Sequence, residues 1–271
     1  MSDIETTIGT RAFALPAIGE VEVNYTERGN GHPVLLLHGG AGPQSVIGFA
    51  DLLAATDGVR VITPTHPGFD GTPRPASLHS MAGLAAVYSR LLDELDLENV
   101  TVIGNSIGGW IAAEIVLLGS PRVGRAVLVD AVGLQLDEHP IVDFFGLTLD
   151  QVVALSYFAP DAFRIDVSTF SEPQKAMMAA NRAALQAYGG TTMADPGLQG
   201  RLPGIATPTL VVWGEADRVV PPEHGSAYAD AIPGARLHLI REAGHLPQLE
   251  APEELRRTVV GFIDEGGAER V

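Results

Sequence analysis

The sequence contains no cysteine, which excludes disulfide bonds, thiolate nucleophiles and cysteine-ligated metal sites. Basic side chains are also scarce, with 17 lysine and arginine residues against 33 aspartate and glutamate residues and a formal net charge of -16. A surface of this charge repels phosphates and anionic lipid headgroups. We therefore expect neither nucleic acid nor a membrane as a partner, and predict a small-molecule substrate.

Long hydrophobic runs are absent too, since no stretch of about 18 apolar residues occurs. The first 20 residues carry acidic side chains where a secretory signal would be basic. These two absences predict a cytoplasmic protein. With 271 residues, of which 46% are hydrophobic, the chain can bury the core of a large α/β fold.

Apolar runs do recur, and helical segments separate them, which is typical of a mostly parallel sheet covered on both faces. An antiparallel strand is predicted at 20–32. Buried strands are predicted at 33–38, 59–64, 99–104, 125–130, 208–214 and 236–240. Helices are predicted at 45–56, 79–96, 107–118, 222–232 and 251–265.

The pattern changes between Gly133 and about Gly204, where helical segments follow one another without a strong strand. Five of the nine phenylalanines lie there; they are Phe144, Phe145, Phe158, Phe163 and Phe170. We interpret this segment as a helical cap over the sheet, whose aromatic residues either line a pocket or form the cap's own core. The predicted organisation is a core in two parts, 1–132 and 205–271, with the cap at 133–204.

One strand ends in Gly104-Asn105-Ser106-Ile107-Gly108, which matches G-x-S-x-G between a strand and a helix. Such a turn forces the serine into a strained conformation that only small residues two positions away can accommodate. The serine could instead be a simple helix N-cap. The paired glycines favour a nucleophile, and the start of the following helix would aim backbone N–H groups at an anion formed there.

A serine nucleophile needs a base and an acid that orients the base. Of the eight histidines, His245 follows the last strand, where loops at the carboxyl edge of the sheet converge. For the acid, Asp217 follows the strand at 208–214 and is preferred over Glu215 and over Asp130, which ends an earlier strand. The predicted catalytic residues are therefore Ser106, Asp217 and His245.

Acyl transfer also needs N–H donors for the oxyanion. Ile107 N–H follows directly from the turn, and the glycine-rich loop 38–43 is expected to supply the second donor from Gly40, with Ala41 as the next choice. His38 and His66 are interpreted as bracing residues for this loop and for the turn after the second parallel strand. No metal or cofactor is predicted.

Taken together, "HGG", "GNSIGG", "GEADRVVP" and "AGHLPQLEAPEE" resemble the α/β-hydrolase superfamily over about residues 20–265. The resemblance implies the α/β-hydrolase fold and a cofactor-independent serine hydrolase with a cap. A small, fairly apolar ester or related carbonyl compound is the predicted substrate. The loop and elbow also resemble those of C–C bond hydrolases acting on aromatic ring-cleavage products, although Leu246 stands where that branch usually has tryptophan.

Three alternatives stay open at this point. A C–C bond hydrolase would need a cap cation for the substrate carboxylate, and Arg164 and Arg182 are available there. A ligand receptor could retain the hydrolase fold without turnover, and a perhydrolase or cofactor-free oxygenase could use the same fold. A homodimer is compatible with the sequence.

Overall fold

The computed structural model describes residues 5–164 and 166–268, which form a sheet with helices on both faces. Within these ranges the sheet has eight strands in the order β1-β2-β4-β3-β5-β6-β7-β8. Strands β3 to β8 run parallel, and β2 is antiparallel to both of its neighbours. The strands are β1 Thr6–Leu15, β2 Gly19–Gly29, β3 His32–Leu37, β4 Val59–Pro64, β5 Val100–Asn105, β6 Val123–Val129, β7 Thr209–Gly214 and β8 Arg236–Ile240.

The first strand is the one that sequence reasoning did not predict. β1 forms an antiparallel hairpin with β2, and the register runs from Thr6 opposite Arg28 to Leu15 opposite Gly19. As an edge strand it has little apolar periodicity to detect, because Phe13 is its one fully buried side chain. The other seven strands fall where the sequence predicts them, within three residues at each end.

Two apolar layers hold the helices against the sheet, as the unbroken apolar runs of the central strands require. One layer includes Leu84, Ile111 and Tyr228 from three helices, and the opposite layer includes Phe49 and Val259 from two others. The helices are α1 Gln44–Ala54, α2 Met81–Glu94, α3 Ile107–Leu117, α4 Leu149–Ser156, α5 Glu172–Gly189, α6 Leu198–Arg201, α7 Glu223–Ala231, α8 Pro247–Glu250 and α9 Pro252–Ala268.

Residues 133–204, called the helical segment below, join β6 to β7 through α4, α5 and α6. Their division from the rest as a separate cap stays a prediction. None of the five phenylalanines is fully buried, and Phe158 is 49% exposed, so they do not form a closed core of their own. Across the described ranges, no helix combines the length and apolar character needed to cross a membrane.

Candidate active site

Ser106 occupies a sharp turn between β5 and α3, with φ 58° and ψ -116°. This left-handed conformation is costly for a residue other than glycine and is typical of functional sites. The flanking glycines make the turn sterically possible. A Cβ on Gly104 would lie 2.0 Å from Gly108 O, and a Cβ on Gly108 would lie 2.4 Å from Leu37 O.

His245 and Asp217 come together although 28 residues separate them in the chain. His245 Nδ1 lies 2.8 Å from Asp217 Oδ2, and both side chains are at most 10% exposed. Asp217 Oδ1 accepts hydrogen bonds from the N–H groups of Val219 and Val220 at 2.8 and 2.9 Å. Because a carboxylate only accepts, His245 carries its proton on Nδ1 and leaves Nε2 free to accept another.

The backbone of His245 is held from two sides. Its N–H donates to Ser156 O at 2.7 Å, at the end of α4, and its carbonyl accepts from Asn105 Nδ2 at 3.0 Å. Asn105 Oδ1 in turn accepts from Gln248 Nε2 at 3.1 Å. The residue directly before Ser106 therefore ties the histidine loop to the serine turn. The sequence analysis did not predict the hydrogen bond between Asn105 and the His245 carbonyl. The only hint in the sequence was an amide side chain directly before the serine.

The glycine-rich loop after β3 lies against the serine. A Cβ on Gly39 would be 3.2 Å from Ser106 Cβ, and a Cβ on Gly40 would be 2.7 Å from Leu185 Cδ2 on α5. Helix α5 thus covers the loop from above, and Ser106 is only 8% exposed. Among the described residues, neither Gly40 N–H nor Ile107 N–H is used in a hydrogen bond, so both remain available to an oxyanion.

His38 and His66 form a closed hydrogen-bond network beneath this loop. His38 Nδ1–H donates to Gly39 O at 2.7 Å, and His38 Nε2 accepts from His66 N–H at 3.0 Å. His66 Nε2–H donates to His38 O at 2.8 Å, and its Nδ1 accepts from the Tyr88 hydroxyl. Burial lowers the pKa of His38 to about 4 and that of His66 as well, so both rings are neutral. The His38 ring hydrogen-bonds to the glycine-rich loop as predicted, whereas the His66 ring bonds to that loop and to Tyr88 rather than to its own turn.

Asp130 is the carboxyl group that sequence reasoning rejected, yet it lies within the site. It has no exposed surface, and one ligand atom each of Asp130, Asp217 and His245 lie within 4.8 Å of one another. Among the described residues these three could geometrically surround a cation. The hydrogen bond from His245 Nδ1 to Asp217 Oδ2 already joins two of these three residues.

Both arginines considered for a substrate carboxylate have other partners. Arg164 is largely exposed and pairs with Asp161 at 2.9 Å. Arg182 donates to the carbonyls of Phe144 and Phe145, and its guanidinium lies 5.1 Å from the Phe145 ring centroid. Within the described residues, each of these two guanidinium groups therefore already has a partner, and a substrate carboxylate would compete with it.

The α/β-hydrolase class is defined by a mostly parallel sheet that carries a strained serine turn and a histidine–carboxylate pair at its carboxyl edge. This protein has both features. The alpha/beta hydrolase family model matches residues 34–258, and the chain belongs to this family. It is an enzyme family, and the fold class predicted from the sequence is confirmed.

Among curated proteins, the chain is similar to the 2-hydroxy-6-oxononadienedioate/2-hydroxy-6-oxononatrienedioate hydrolase of Paraburkholderia xenovorans. The two are 30% identical over 274 residues, which cover 90% of this chain and 91% of the relative. It is also similar to the 2-hydroxymuconate semialdehyde hydrolase of Pseudomonas putida, at 28% identity over 90% of this chain and 92% of the relative.

The solved structures that resemble this chain include two kinds of hydrolase. The meta-cleavage product hydrolase from Pseudomonas fluorescens has a TM-score of 0.75 and 25% identity, covering 96% of this chain and 98% of that one. A thermophilic esterase from Thermogutta terrifontis has a TM-score of 0.76 and 23% identity, covering 95% and 98%, and shares the fold.

Proposed function

We propose that the protein is a serine hydrolase that cleaves a C–C bond next to a carbonyl group in a substrate of the ring-cleavage-product class. Ser106 is the nucleophile, His245 the general base, and Asp217 the acid that orients His245. The observation that carries the proposal is the buried hydrogen bond from His245 Nδ1 to Asp217 Oδ2, which leaves Nε2 as a base. The substrate class comes from the names of the relatives.

These groups can carry out the cleavage as two successive acyl transfers, first to Ser106 and then to water. Ser106 Oγ attacks the carbonyl carbon while its proton passes to His245 Nε2, and the N–H groups of Gly40 and Ile107 stabilise the oxyanion. Collapse of the tetrahedral intermediate breaks the C–C bond, and the imidazolium returns its proton to the leaving carbon. Water then attacks the acyl-enzyme, again with His245 as base, and releases Ser106 and a carboxylic acid.

Ester hydrolysis is the second candidate, and a specific observation favours it. Arg164 and Arg182 both have other partners, so neither supplies a ready site for the carboxylate of a ring-cleavage product. The first step is identical for an ester, with an alkoxide as the leaving group.

The test is a substrate panel assayed with the purified protein. 2-Hydroxymuconate semialdehyde and a phenyl-substituted dienoate represent the first class, and p-nitrophenyl acetate and butyrate represent the second. We expect kcat/KM for a dienoate to exceed that for either ester by about 100-fold or more, a difference of about 3 kcal/mol in transition-state stabilisation. Faster turnover of the esters would overturn the C–C assignment in favour of the second candidate.

Ser106→Ala and Ser120→Ala form a matched pair of controls for the panel. Ser106→Ala should lower kcat/KM by about 10⁴-fold or more, because no other group can form the acyl-enzyme. Ser120 lies beyond the far end of α3 and should be replaceable without effect. Turnover that survives in Ser106→Ala would refute the proposed nucleophile for both substrate classes.

A further inference from the structure

Asp130 directly follows β6 and is hydrogen-bonded to the neighbouring strand β7, beside Asp217 and His245. Its N–H donates to Val212 O at 3.0 Å, and its Oδ1 accepts from Gly214 N–H at 2.9 Å. Its backbone has φ 45°, a left-handed conformation that is uncommon outside glycine. A strained, fully buried aspartate next to a catalytic pair calls for a functional explanation.

The second oxygen of Asp130 has no hydrogen-bond partner among the described residues. Oδ2 is buried and unpaired, while a ligand atom of Asp130 lies within 4.8 Å of one on Asp217 and one on His245. A buried polar atom without a partner is costly. A proton on Oδ2 would remove the charge and give the carboxyl an O–H to donate, with the Asp217 carboxylate as the acceptor close by.

Two buried carboxyl groups this close cannot both be ionised at moderate cost. Asp217 receives three hydrogen bonds, from Val219 N–H, Val220 N–H and His245 Nδ1–H, whereas Asp130 receives one. The charge therefore belongs on Asp217. Burial, followed by the negative charge of Asp217 and to a smaller extent that of Glu250, raises the pKa of Asp130 well above its usual range.

We propose that Asp130 is a positioning residue of the active site, which holds a proton so that Asp217 carries the single negative charge and which accepts a hydrogen bond from His245 Nδ1–H when Asp217 is neutralised. The inference rests on the proposed serine hydrolase function. In the native enzyme no proton leaves Asp130 during turnover. When Asp217 is replaced by a neutral residue, Asp130 releases its proton to solvent and becomes the acid that orients His245.

The test compares wild type, Asp130→Asn, Asp217→Asn and the double variant. The readout is the rate at which a fluorophosphonate modifies Ser106, followed by intact mass from about pH 5.5 to 9.5. Asparagine keeps an acceptor for Gly214 N–H at position 130, and it keeps one for the two amides at position 217. Asp230→Asn, on the exposed side of α7, controls for loss of one negative charge.

We expect Asp217→Asn to react about 10 to 100-fold more slowly than wild type, with a rate that rises with pH as Asp130 ionises. The double variant should be slower by about another 100-fold and lose this rise, because His245 then has no carboxylate to hold its tautomer. Asp130→Asn alone should have a smaller effect than Asp217→Asn. Equal rates and equal pH profiles for Asp217→Asn and the double variant would overturn the proposal.

Two spectroscopic measurements separate failure of this inference from failure of the proposed function. If the probe does not label the wild type, the serine hydrolase function fails. The inference is then decided by proton NMR of His245 Nδ1–H, which should persist in Asp217→Asn and vanish in the double variant. If Asp217→Asn does not fold, infrared difference spectra of wild type and Asp130→Asn should show a neutral carboxyl band at pH 7. Its absence would overturn the inference.

Discussion

The protein contains two buried histidine networks that differ in how completely their ring nitrogens are bonded. In the His38–His66–Tyr88 network, all four ring nitrogens of the two histidines have partners and neither ring is exposed. His245 is bonded through Nδ1 alone among the described residues, and it keeps a small exposed surface. Full bonding fixes a ring in one neutral state, whereas a free Nε2 permits proton transfer.

This difference in bonding distinguishes structural from reactive histidines at the same edge of the sheet. Burial lowers the pKa of His38 and His66, and among the described residues no carboxylate hydrogen-bonds to either ring to favour its charged form. His245 instead faces the Asp217 carboxylate, which in the proposed mechanism stabilises an imidazolium. One network therefore supports the oxyanion loop, and the other is suited to chemistry.

The largest effect on activity is expected when one histidine of each network is replaced by asparagine. His245→Asn should lower kcat/KM by about 10⁵-fold with little change in unfolding free energy, because the base is lost but few packing contacts are. His38→Asn should lower the free energy of unfolding by about 2–4 kcal/mol and reduce turnover far less. Kinetics and urea denaturation of both variants check the pair. The comparison fails if His38→Asn abolishes turnover in a protein that is as stable as wild type.

The second-largest expected effect is a loss of folding stability at low pH, caused by protonation of His38. The folded-state pKa of His38, about 4, lies below the unfolded value of about 6.5, so folding favours the neutral ring. This contribution is complete above pH 6.5 and is lost as the pH falls towards 4, by about 3 kcal/mol. His66 acts in the same direction.

Urea denaturation between pH 7.5 and 4.5 measures this loss. Buried carboxylates also lose stability on acidification, so wild type must be compared with His38→Asn, in which the titrating ring is absent. The wild-type curve should fall more steeply with decreasing pH than that of the variant. Parallel curves would show that protonation of His38 does not contribute.

The smallest effect is expected from the hydroxyl that closes the structural network. Tyr88→Phe removes the donor to His66 Nδ1 and leaves a buried acceptor unpaired, which should cost about 1–3 kcal/mol. Tyr157→Phe is the matched control, because the Tyr157 hydroxyl makes no hydrogen bond within the described residues. Thermal unfolding of the two variants measures the difference, and equal stability would argue against a closed network.

Much of the fold and the serine turn could be predicted because their determinants are local. The apolar runs of β3 to β7 are buried on both faces and stand out in the sequence. Ser106 and its two glycines lie within five residues, and steric conflict within that turn requires small flanks. Edge strand β1 was missed because its single fully buried side chain leaves no period to detect.

Contacts between distant segments could not be predicted in the same way. The pairing of β6 with β7 brings Asp130 next to Gly214 and the triad, and that pairing joins positions more than 80 residues apart. The same applies to Asn105 and the carbonyl of His245. The partners of the two arginines in the helical segment could not be predicted either, because only the folded chain shows which acceptors each guanidinium finds.

By itself, the sequence determined the class of fold, the strained serine and the order of serine, aspartate and histidine, since periodicity and turn sterics act between near neighbours. The tertiary structure alone decided which nitrogen of each buried histidine carries the proton, and it alone brought a second carboxyl to the triad. The physical reason is that protonation depends on burial and on the facing partners, and both arise only when distant strands pack at one edge of the sheet.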